Sequence, residues 1–173
     1  DQKSGIEISE ASPQISDKLP IPSSIGQGTH NYTTSQLARY VATIANSGTS
    51  YNISLLDKTT DSEGNLIEDF TPEVLSTINL EQWIWKDVHK GMEGVIQNSS
   101  SLPICKDLQV SVAGKTGTAQ QSKSHSNHGL FVCYAPAEQP EIAMAVRIAN
   151  GYTSTNVVYV AKDILSYYFG LQE

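Results

Sequence analysis

The chain has 173 residues, of which 39% are apolar and 17% are charged. This length is typical of one globular domain with its own core, and the composition excludes an intrinsically disordered or fibrous chain. The net charge of −7 at pH 7 and the lack of a Lys/Arg cluster argue against nucleic acid as a partner, and no apolar run reaches the roughly 20 residues that span a bilayer.

Hydrophobic periodicity and turn residues predict three helices, five strands and one long loop. In chain order they are an ordered loop over 1–32, a helix over 34–46, a hairpin with strands over 51–60 and 65–70, a helix over 80–96, strands over 110–120, 129–135 and 142–149, and a helix over 155–169. The loops between the last three strands have the length that joins antiparallel neighbours. The sequence therefore predicts an α+β fold, with helices packed on an antiparallel sheet.

Capping residues predict the ends of the helices. Thr33 or Thr34 caps the start of the first helix and Gly48 ends it, because a hydroxyl accepts from free helix N–H groups and glycine tolerates a left-handed stop. Asn79 and Gln82 have the spacing of a capping box for the second helix. Four aromatic residues at helical spacing are expected to pack rather than to contact a ligand. They are Trp83, Trp85, Tyr167 and Tyr168.

Neither the cysteines nor the histidines form a metal-binding pattern. Cys105 and Cys133 lack CxxC spacing, which excludes a zinc knuckle and a disulfide scaffold. A bridge between them remains open, although Cys133, within the apolar run 130–135, is interpreted as a small buried hydrophobic residue. His125 and His128 have no third ligand near them in the sequence and are assigned to a solvated loop.

The segment Lys115-Thr116-Gly117-Thr118 lies inside the predicted strand over 110–120. Side chains alternate along a strand, so Thr116 and Thr118 share one face and Lys115 and Gly117 share the other. Two hydroxyls beside a cation on an edge strand form a small carboxylate receptor, and glycine lets a peptide-like ligand approach the strand backbone. The alternative interpretation is an edge strand that is kept polar against aggregation.

Further segments lie in order around this motif. They are Ser-Ile-Gly-Gln-Gly at 24–28, Gln-Leu-Ala-Arg-Tyr at 36–40, Ala-Asn-Ser-Gly-Thr at 45–49 and His-Gly-Leu-Phe-Val-Cys-Tyr-Ala-Pro at 128–136. Together with a Lys-Thr-Gly on a strand, they resemble the transpeptidase domain of class B penicillin-binding proteins, most like the elongation-type members. The resemblance implies a partial penicillin-binding-protein and serine β-lactamase-like fold, in which residues 1–173 are the C-terminal part of a single transpeptidase domain.

The chain departs from the family pattern at several places. No Ser-x-x-Lys occurs in the 173 residues, so the chain is expected to lack the acylatable serine and to be inactive alone. The Ser-x-Asn triplets at 50–52 and 154–156 are interpreted as coincidental, with Ser154 as a helix cap. Thr-Ser stands at 34–35, where Pro-Leu is usual, and Gly-Leu at 129–130, where Ala-Trp is commoner. A first residue other than Met is expected of a piece of a longer chain.

The resemblance implies roles for the residues of the motif. Lys115 and Thr118 are catalytic, because Lys115 polarises the serine of the Ser-x-Asn motif and the Thr118 N–H is one of two oxyanion-hole donors. Thr116, Gly117 and Thr118 bind substrate through two hydroxyls and an accessible backbone, and Gln120 continues the strand toward the substrate. The resemblance implies no metal and no other cofactor.

The implied function is that of a peptidoglycan D,D-transpeptidase, which cross-links stem peptides ending in D-Ala-D-Ala and is acylated by β-lactams. Such a protein lies on the extracytoplasmic face of the bacterial membrane, and its anchor is expected in an N-terminal segment not in this chain. Without the N-terminal half of the domain, the chain is expected to expose a sheet edge and an apolar face and to self-associate. A β-lactam sensor of the same fold and a non-catalytic binding module remain alternatives.

Overall fold

The computed structural model describes residues 32–98, 108–119 and 125–171. Its elements are, in order, α1 (Thr34–Ala45), β1 (Thr49–Tyr51), β2 (Lys58–Thr60), β3 (Leu66–Asp69), β4 (Val74–Thr77), α2 (Gln82–Asn98), β5 (Ala113–Ala119), β6 (His128–Ala135), β7 (Ile142–Ile148) and α3 (Ser154–Tyr168). The predictions for the N-terminal loop up to residue 31, for Cys105 and for Gln120 fall outside the described residues. Within those three ranges, no helix is long and apolar enough to cross a bilayer.

The centre of the fold is an antiparallel sheet in the order β5-β6-β7. In its register, Gly114 and Met144 lie on either side of Cys133, and Thr118 lies opposite Gly129. The three strands begin and end within a few residues of the predicted ranges. The structure therefore confirms the predicted antiparallel sheet and the α+β class.

Helices cover both faces of this sheet. On one face, α3 packs against β6 and β7 in a core that includes Phe131, Cys133, Ala135, Met144, Val157, Val158, Ala161 and Leu165. On the other face, α1 and α2 pack against the sheet around Val41, Met92, Ala113 and Tyr134. Because residues directly opposite each other on neighbouring strands share a face, the register sorts the apolar side chains into these two cores.

Two glycines allow the close packing around β6. A Cβ on Gly114 would stand 2.8 Å from Cζ of Phe131 and 2.9 Å from the carbonyl oxygen of Val132. A Cβ on Gly129 would stand 2.5 Å from Cγ2 of Val157. Interiors packed this densely leave no room for either methyl group. Gly129 stands where the resemblance leads us to expect alanine. Its missing side chain allows α3 to approach β6 closely.

Helix α1 begins as its capping residues predict, but its left-handed stop begins at Ser47, with a φ of +62°, one residue before the predicted Gly48. The Thr33 hydroxyl accepts a hydrogen bond from the Gln36 N–H at 3.1 Å, and the Gln36 side-chain oxygen accepts one from the Thr33 N–H at 2.8 Å. This reciprocal pair is a capping box. After the helix, Gly48 has a φ of +118°, and its N–H donates to the carbonyl oxygen of Thr43. Both termini of α1 are thus satisfied locally.

Two predictions about the other helix ends are wrong. Helix α2 begins at Gln82 instead of residue 80, so Asn79 lies too far from its first turn to cap it. Helix α3 is capped by Thr153, whose hydroxyl accepts from the N–H two residues later, and Ser154 is already helical.

The aromatic residues of the helices pack less than expected. Trp85 is half-buried, but Trp83, Tyr167 and Tyr168 expose 64%, 76% and 51% of their surface. The buried residues of α2 all lie in its second half, so the first turn, which carries Trp83, is not packed into the core. In α3, Tyr167 lies outside the stripe of buried residues, whereas Tyr168 continues this stripe at the C-terminal end of the helix, where its ring meets that of Phe169. Helical spacing alone does not show where a neighbouring element ends.

Strands β1 to β4 form two short ribbons outside the sheet, and we call residues 49–77 the arm. Strand β1 pairs with β4, and β2 pairs with β3 between them. The Asp61 carboxylate closes the β2–β3 turn by accepting from the N–H groups of Asn65 (2.8 Å) and Glu63 (2.9 Å). Hydrogen bonds from Asn65, above all its side chain, lower the pKa of Asp61. The predicted hairpin is confirmed, with shorter strands, because β1 belongs to the second ribbon.

We expect Gly114→Ala to lower the free energy of unfolding by about 1–3 kcal/mol, because the added methyl group overlaps the Phe131 ring. Gly117→Ala on the same strand is the matched control, since its Cβ would meet only the Leu130 Cβ, at 3.5 Å. Its free energy of unfolding should change by less than about 1 kcal/mol. Urea unfolding followed by circular dichroism measures both values, and equal changes in the two variants would contradict this packing account.

Candidate active site

Strand β5 is one of the two edge strands of the sheet within the part of the chain that the structure describes. One of its edges pairs with β6, and the other faces no described strand. Helix α2 packs on β5, where Ala113 and Gly114 are buried, but the residues from Lys115 onward are exposed or half-buried. The Lys-Thr-Gly-Thr segment is therefore the part of β5 that leaves its backbone edge open to a ligand.

The side chains of this segment alternate between the two faces of the sheet, as the period of a strand predicts. Thr116 lies opposite Phe131, so Thr116 and Thr118 share the face on which α3 packs. Lys115 and Gly117 share the face on which α1 and α2 pack. Thr118 and Lys115 are exposed, and Thr116 is half-buried. Both hydroxyls are thus on one side of the open edge, and the cation is on the other.

The ammonium group of Lys115 lies against its own strand. Its Nζ donates a hydrogen bond of 2.8 Å to the carbonyl oxygen of Thr116. The positive charge is therefore held beside the backbone at the centre of the segment. A ligand at this edge meets one cation, two hydroxyls and exposed backbone, which is the set of groups that recognises a carboxylate on an extended peptide.

Gly117 differs from Gly114 in that a side chain would fit at Gly117. A Cβ at 117 would make only one contact, of 3.5 Å, with the Leu130 Cβ, which is an ordinary van der Waals distance. The packing of the described residues therefore requires a glycine at 114 but not at 117. A glycine on an open strand edge leaves room for another backbone to approach the strand from outside.

The prediction that His128 belongs to a solvated loop is wrong. His128 is the first residue of β6 and exposes only 8% of its surface. Its Nδ1 accepts a hydrogen bond of 3.0 Å from the Asn150 N–H, in the turn before α3. Tyr152 in the same turn donates its N–H to the Asn127 carbonyl oxygen at 3.1 Å. His128 therefore ties this turn to the end of the sheet where Thr118 lies, a role that sequence analysis missed.

Tyr134 and His89 connect the helices to the sheet on its other face. The two rings meet edge to face with centroids 5.8 Å apart, and His89 Nε2 lies 2.8 Å from the Ile44 carbonyl oxygen. Because a carbonyl only accepts, that nitrogen carries the proton. Burial, with a smaller effect of Glu93, raises the pKa of Tyr134 to about 12, so the phenol stays protonated at neutral pH. Nothing in the sequence pattern singles out this contact between α1, α2 and β6.

Among the residues that the structure describes, no three His, Cys, Asp or Glu side chains are grouped so as to hold a metal ion. Cys133 is fully buried in the core beneath α3, in agreement with its interpretation as a small hydrophobic residue. Cys105 is not among the described residues, so the bridge between Cys105 and Cys133, which the sequence leaves open, stays a prediction.

A family model for the penicillin-binding protein transpeptidase domain matches residues 1–166 of the chain. The chain belongs to this transpeptidase family. It is 32% identical over 155 residues to penicillin-binding protein 2B of Streptococcus pneumoniae, covering 80% of this chain and 22% of that protein. It is 33% identical over 159 residues to the peptidoglycan D,D-transpeptidase MrdA of Acinetobacter baumannii, covering 84% and 23%. The chain thus spans less than a quarter of the length of these relatives.

Solved structures of the family share this fold. Penicillin-binding protein 2B from Streptococcus pneumoniae superimposes with a TM-score of 0.79 and 28% identity, covering 99% of this chain and 29% of that chain. Penicillin-binding protein 2 from Pseudomonas aeruginosa gives a TM-score of 0.70 and 32% identity, covering 85% and 31%. These similarities confirm the predicted resemblance to class B penicillin-binding proteins and the transpeptidase fold.

We expect His128 to stabilise the fold through the hydrogen bond that its Nδ1 accepts. In His128→Asn, the amide oxygen takes the place of Nδ1 and can still accept from the Asn150 N–H, whereas in His128→Gln the oxygen is displaced toward Nε2. The Asn variant should therefore be more stable than the Gln variant by about 0.5–1.5 kcal/mol, the usual contribution of one hydrogen bond. The Asn side chain is one methylene smaller than that of Gln, so the larger cavity it leaves works against the expected order and not for it. Equal unfolding free energies in urea would contradict this role.

Proposed function

We propose that this chain is the part of a peptidoglycan D,D-transpeptidase that presents the substrate-binding strand. The observation that carries the proposal is the open edge of β5 from Lys115 to Thr118. An extended peptide that ends in a carboxylate, such as a D-Ala-D-Ala stem peptide, fits such an edge as an added strand, and so does a β-lactam that resembles it. A relative named as a D,D-transpeptidase favours this function over that of a β-lactam sensor.

Recognition of the substrate carboxylate is assigned to the alternating side chains of β5. The hydroxyls of Thr116 and Thr118 donate to the carboxylate, and the Lys115 ammonium adds a positive charge from the other face. Hydrogen bonds to a charged group contribute about 1.5–3 kcal/mol each. Two such hydrogen bonds favour a peptide that ends in a free carboxylate over a peptide whose chain continues beyond that residue. Gln120, one residue beyond β5 in the sequence, is proposed to extend this contact.

The proposed reaction is an acyl transfer through a serine that the 173 residues do not supply. The serine oxygen attacks the carbonyl carbon of the penultimate D-Ala, the peptide bond breaks, and the terminal D-Ala leaves as an amine. The amine of a second stem peptide then attacks the acyl-enzyme, which forms the cross-link and releases the serine. The Thr118 N–H stabilises the oxyanion in both steps, and Lys115 polarises the serine of the Ser-x-Asn motif. We propose that the chain alone is inactive because it lacks the nucleophile.

Gly117 and the location of the protein complete the proposal. With no side chain at Gly117, a peptide backbone approaches β5 closely enough to pair with it.

The chemistry uses only side chains and backbone groups, so no cofactor is assigned. Because peptidoglycan lies outside the cytoplasm, we place the domain on the extracytoplasmic face of the membrane, with the anchor in another part of the protein.

A chimera tests this proposal, in which the chain replaces the matching segment of the Streptococcus pneumoniae penicillin-binding protein 2B. We expect benzylpenicillin to acylate the chimera. Thr118→Val should lower the second-order rate constant of acylation by about 10- to 100-fold, because the hydrogen bond to the drug carboxylate is lost. Mass spectrometry of the acylated protein measures the rate.

The matched control is Thr60→Val, which removes the hydroxyl of another exposed strand threonine, in the arm. Its acylation rate should equal that of the parent chimera. Gly117→Ala, which the packing tolerates, should slow acylation by crowding the strand edge. A folded chimera that is not acylated contradicts the proposed function, and full acylation rates in Thr118→Val contradict the role of that hydroxyl.

Strand β7 has an outer edge that faces no described strand. We propose that the N-terminal half of the domain pairs there and that the isolated chain self-associates through this edge instead. In sedimentation velocity, the average mass should exceed that of a monomer and rise with protein concentration. A single monomeric species at all concentrations would contradict this proposal.

A further inference from the structure

The arm, residues 49–77, has no core of its own. From Tyr51 to Thr77, every residue is exposed except Thr59 and Phe70, which are half-buried. Strands β3 and β4 are exposed along their whole length. A two-stranded ribbon without a packed face is only marginally stable in water. The described residues therefore leave the arm uncovered.

The β2–β3 ribbon exposes large apolar side chains at both of its ends. Leu55 and Leu56 expose 93% and 59% of their surface, and Leu66 and Ile67 expose 60% and 67%. Because the strands are antiparallel, the first pair lies at one end of the ribbon and the second pair at the other. Acidic residues lie between the two pairs. They are Asp57, Glu68 and Asp69, and Asp69 lies opposite Lys58.

The charge of the arm decides which partner can cover it. The arm contains six acidic residues and one Lys, so it carries −5 of the net charge of −7. An anionic lipid surface is repelled by this charge, and so is the arm of a second copy. A basic protein segment is attracted by the same charge. Exposed apolar side chains rimmed by polar residues mark protein interaction sites.

We propose that the arm binds an extended segment of another protein in which Lys or Arg residues alternate with apolar ones. The segment adds as a strand along β3, whose outer edge pairs with no described strand. In the register of the ribbon, Glu68 shares one face with Thr59, and Leu66 and Asp69 share the other with Thr60 and Lys58. The cations of the segment lie against Glu68 on the first face, and its apolar side chains cover Leu66 on the second, where Asp69 already faces Lys58. This inference is independent of the proposed reaction, because the arm is not part of the β5-β6-β7 sheet.

The test uses the isotope-labelled 173-residue chain and a synthetic peptide, acetyl-Leu-Lys-Val-Arg-Val-Lys-Leu-amide. We expect saturable NMR shifts of the amides at 66–69. The Kd should be at least about tenfold lower than for a peptide with Glu in place of Lys and Arg, and binding should weaken with rising NaCl.

Two charge variants test the electrostatic part of the proposal. Glu68→Gln combined with Asp69→Asn should weaken peptide binding by about 3- to 30-fold. Glu141→Gln combined with Asp163→Asn removes two equally exposed acidic residues outside the arm and should leave the Kd unchanged. Equal weakening in both double variants would show nonspecific attraction to a negative protein and would overturn the proposal.

Two apolar variants test the hydrophobic part. Leu66→Ser combined with Ile67→Ser should weaken binding at least about tenfold, because two large side chains lose their cover. Val160→Ser combined with Ile164→Ser, on the exposed side of α3, is the matched control and should have no effect. Unchanged shifts at the Asp61 turn show that the ribbon still folds in each variant.

Three further results would overturn the proposal. Protection from hydrogen exchange of the outward β3 amides, those not bonded to β2, in the chimera without peptide means that the same polypeptide already covers the arm. Shifts at 66–69 that depend on protein concentration alone mean that a second copy covers it. Equal shifts with phosphatidylserine vesicles mean that the arm does not discriminate a protein segment from a membrane.

Discussion

The burial of strand β6 on both faces is the constraint on which the rest of the fold depends. Phe131, Cys133 and Tyr134 are fully buried, with α3 on one face of the sheet and α1 and α2 on the other. A strand covered on both faces needs apolar side chains at successive positions and small neighbours beside its rings. Gly114 is such a neighbour, because any side chain there would overlap Phe131. Once β6 occupies the middle, β5 has one free edge.

Two constraints act on different parts of β5: packing against the core at its start and access to the free edge further along. At the start of β5, α2 covers the backbone and packing dictates the residue, as at Gly114. Three residues later, Gly117 has space around it, and the residues beside it are polar and accessible. The same strand thus passes from the core to the site without changing conformation. A rigid strand positions a ligand more accurately than a loop does, which suits the proposed acyl transfer, because that reaction requires precise placement of a carbonyl.

The sequence predicts the elements that face the core, because burial leaves a period of 3.6 or 2 in the apolar residues. It does not separate β1 from the hairpin and predicts no strand at β4, since strands of three and four residues are too short to show a period. The local part of the site, the alternation from Lys115 to Thr118, follows from the period of a strand. The burial of His128 does not, because it depends on a hydrogen bond to Asn150, which is distant in sequence.

A crystal structure of the benzylpenicillin-acylated chimera tests most directly whether the open edge of β5 receives the substrate. We expect the drug to lie along β5, with its amide paired to the strand backbone near Gly117. Its carboxylate should be within hydrogen-bond distance of the Thr116 and Thr118 hydroxyls. A drug attached to the serine but directed away from β5, or an edge of β5 already paired with another strand, would contradict the account.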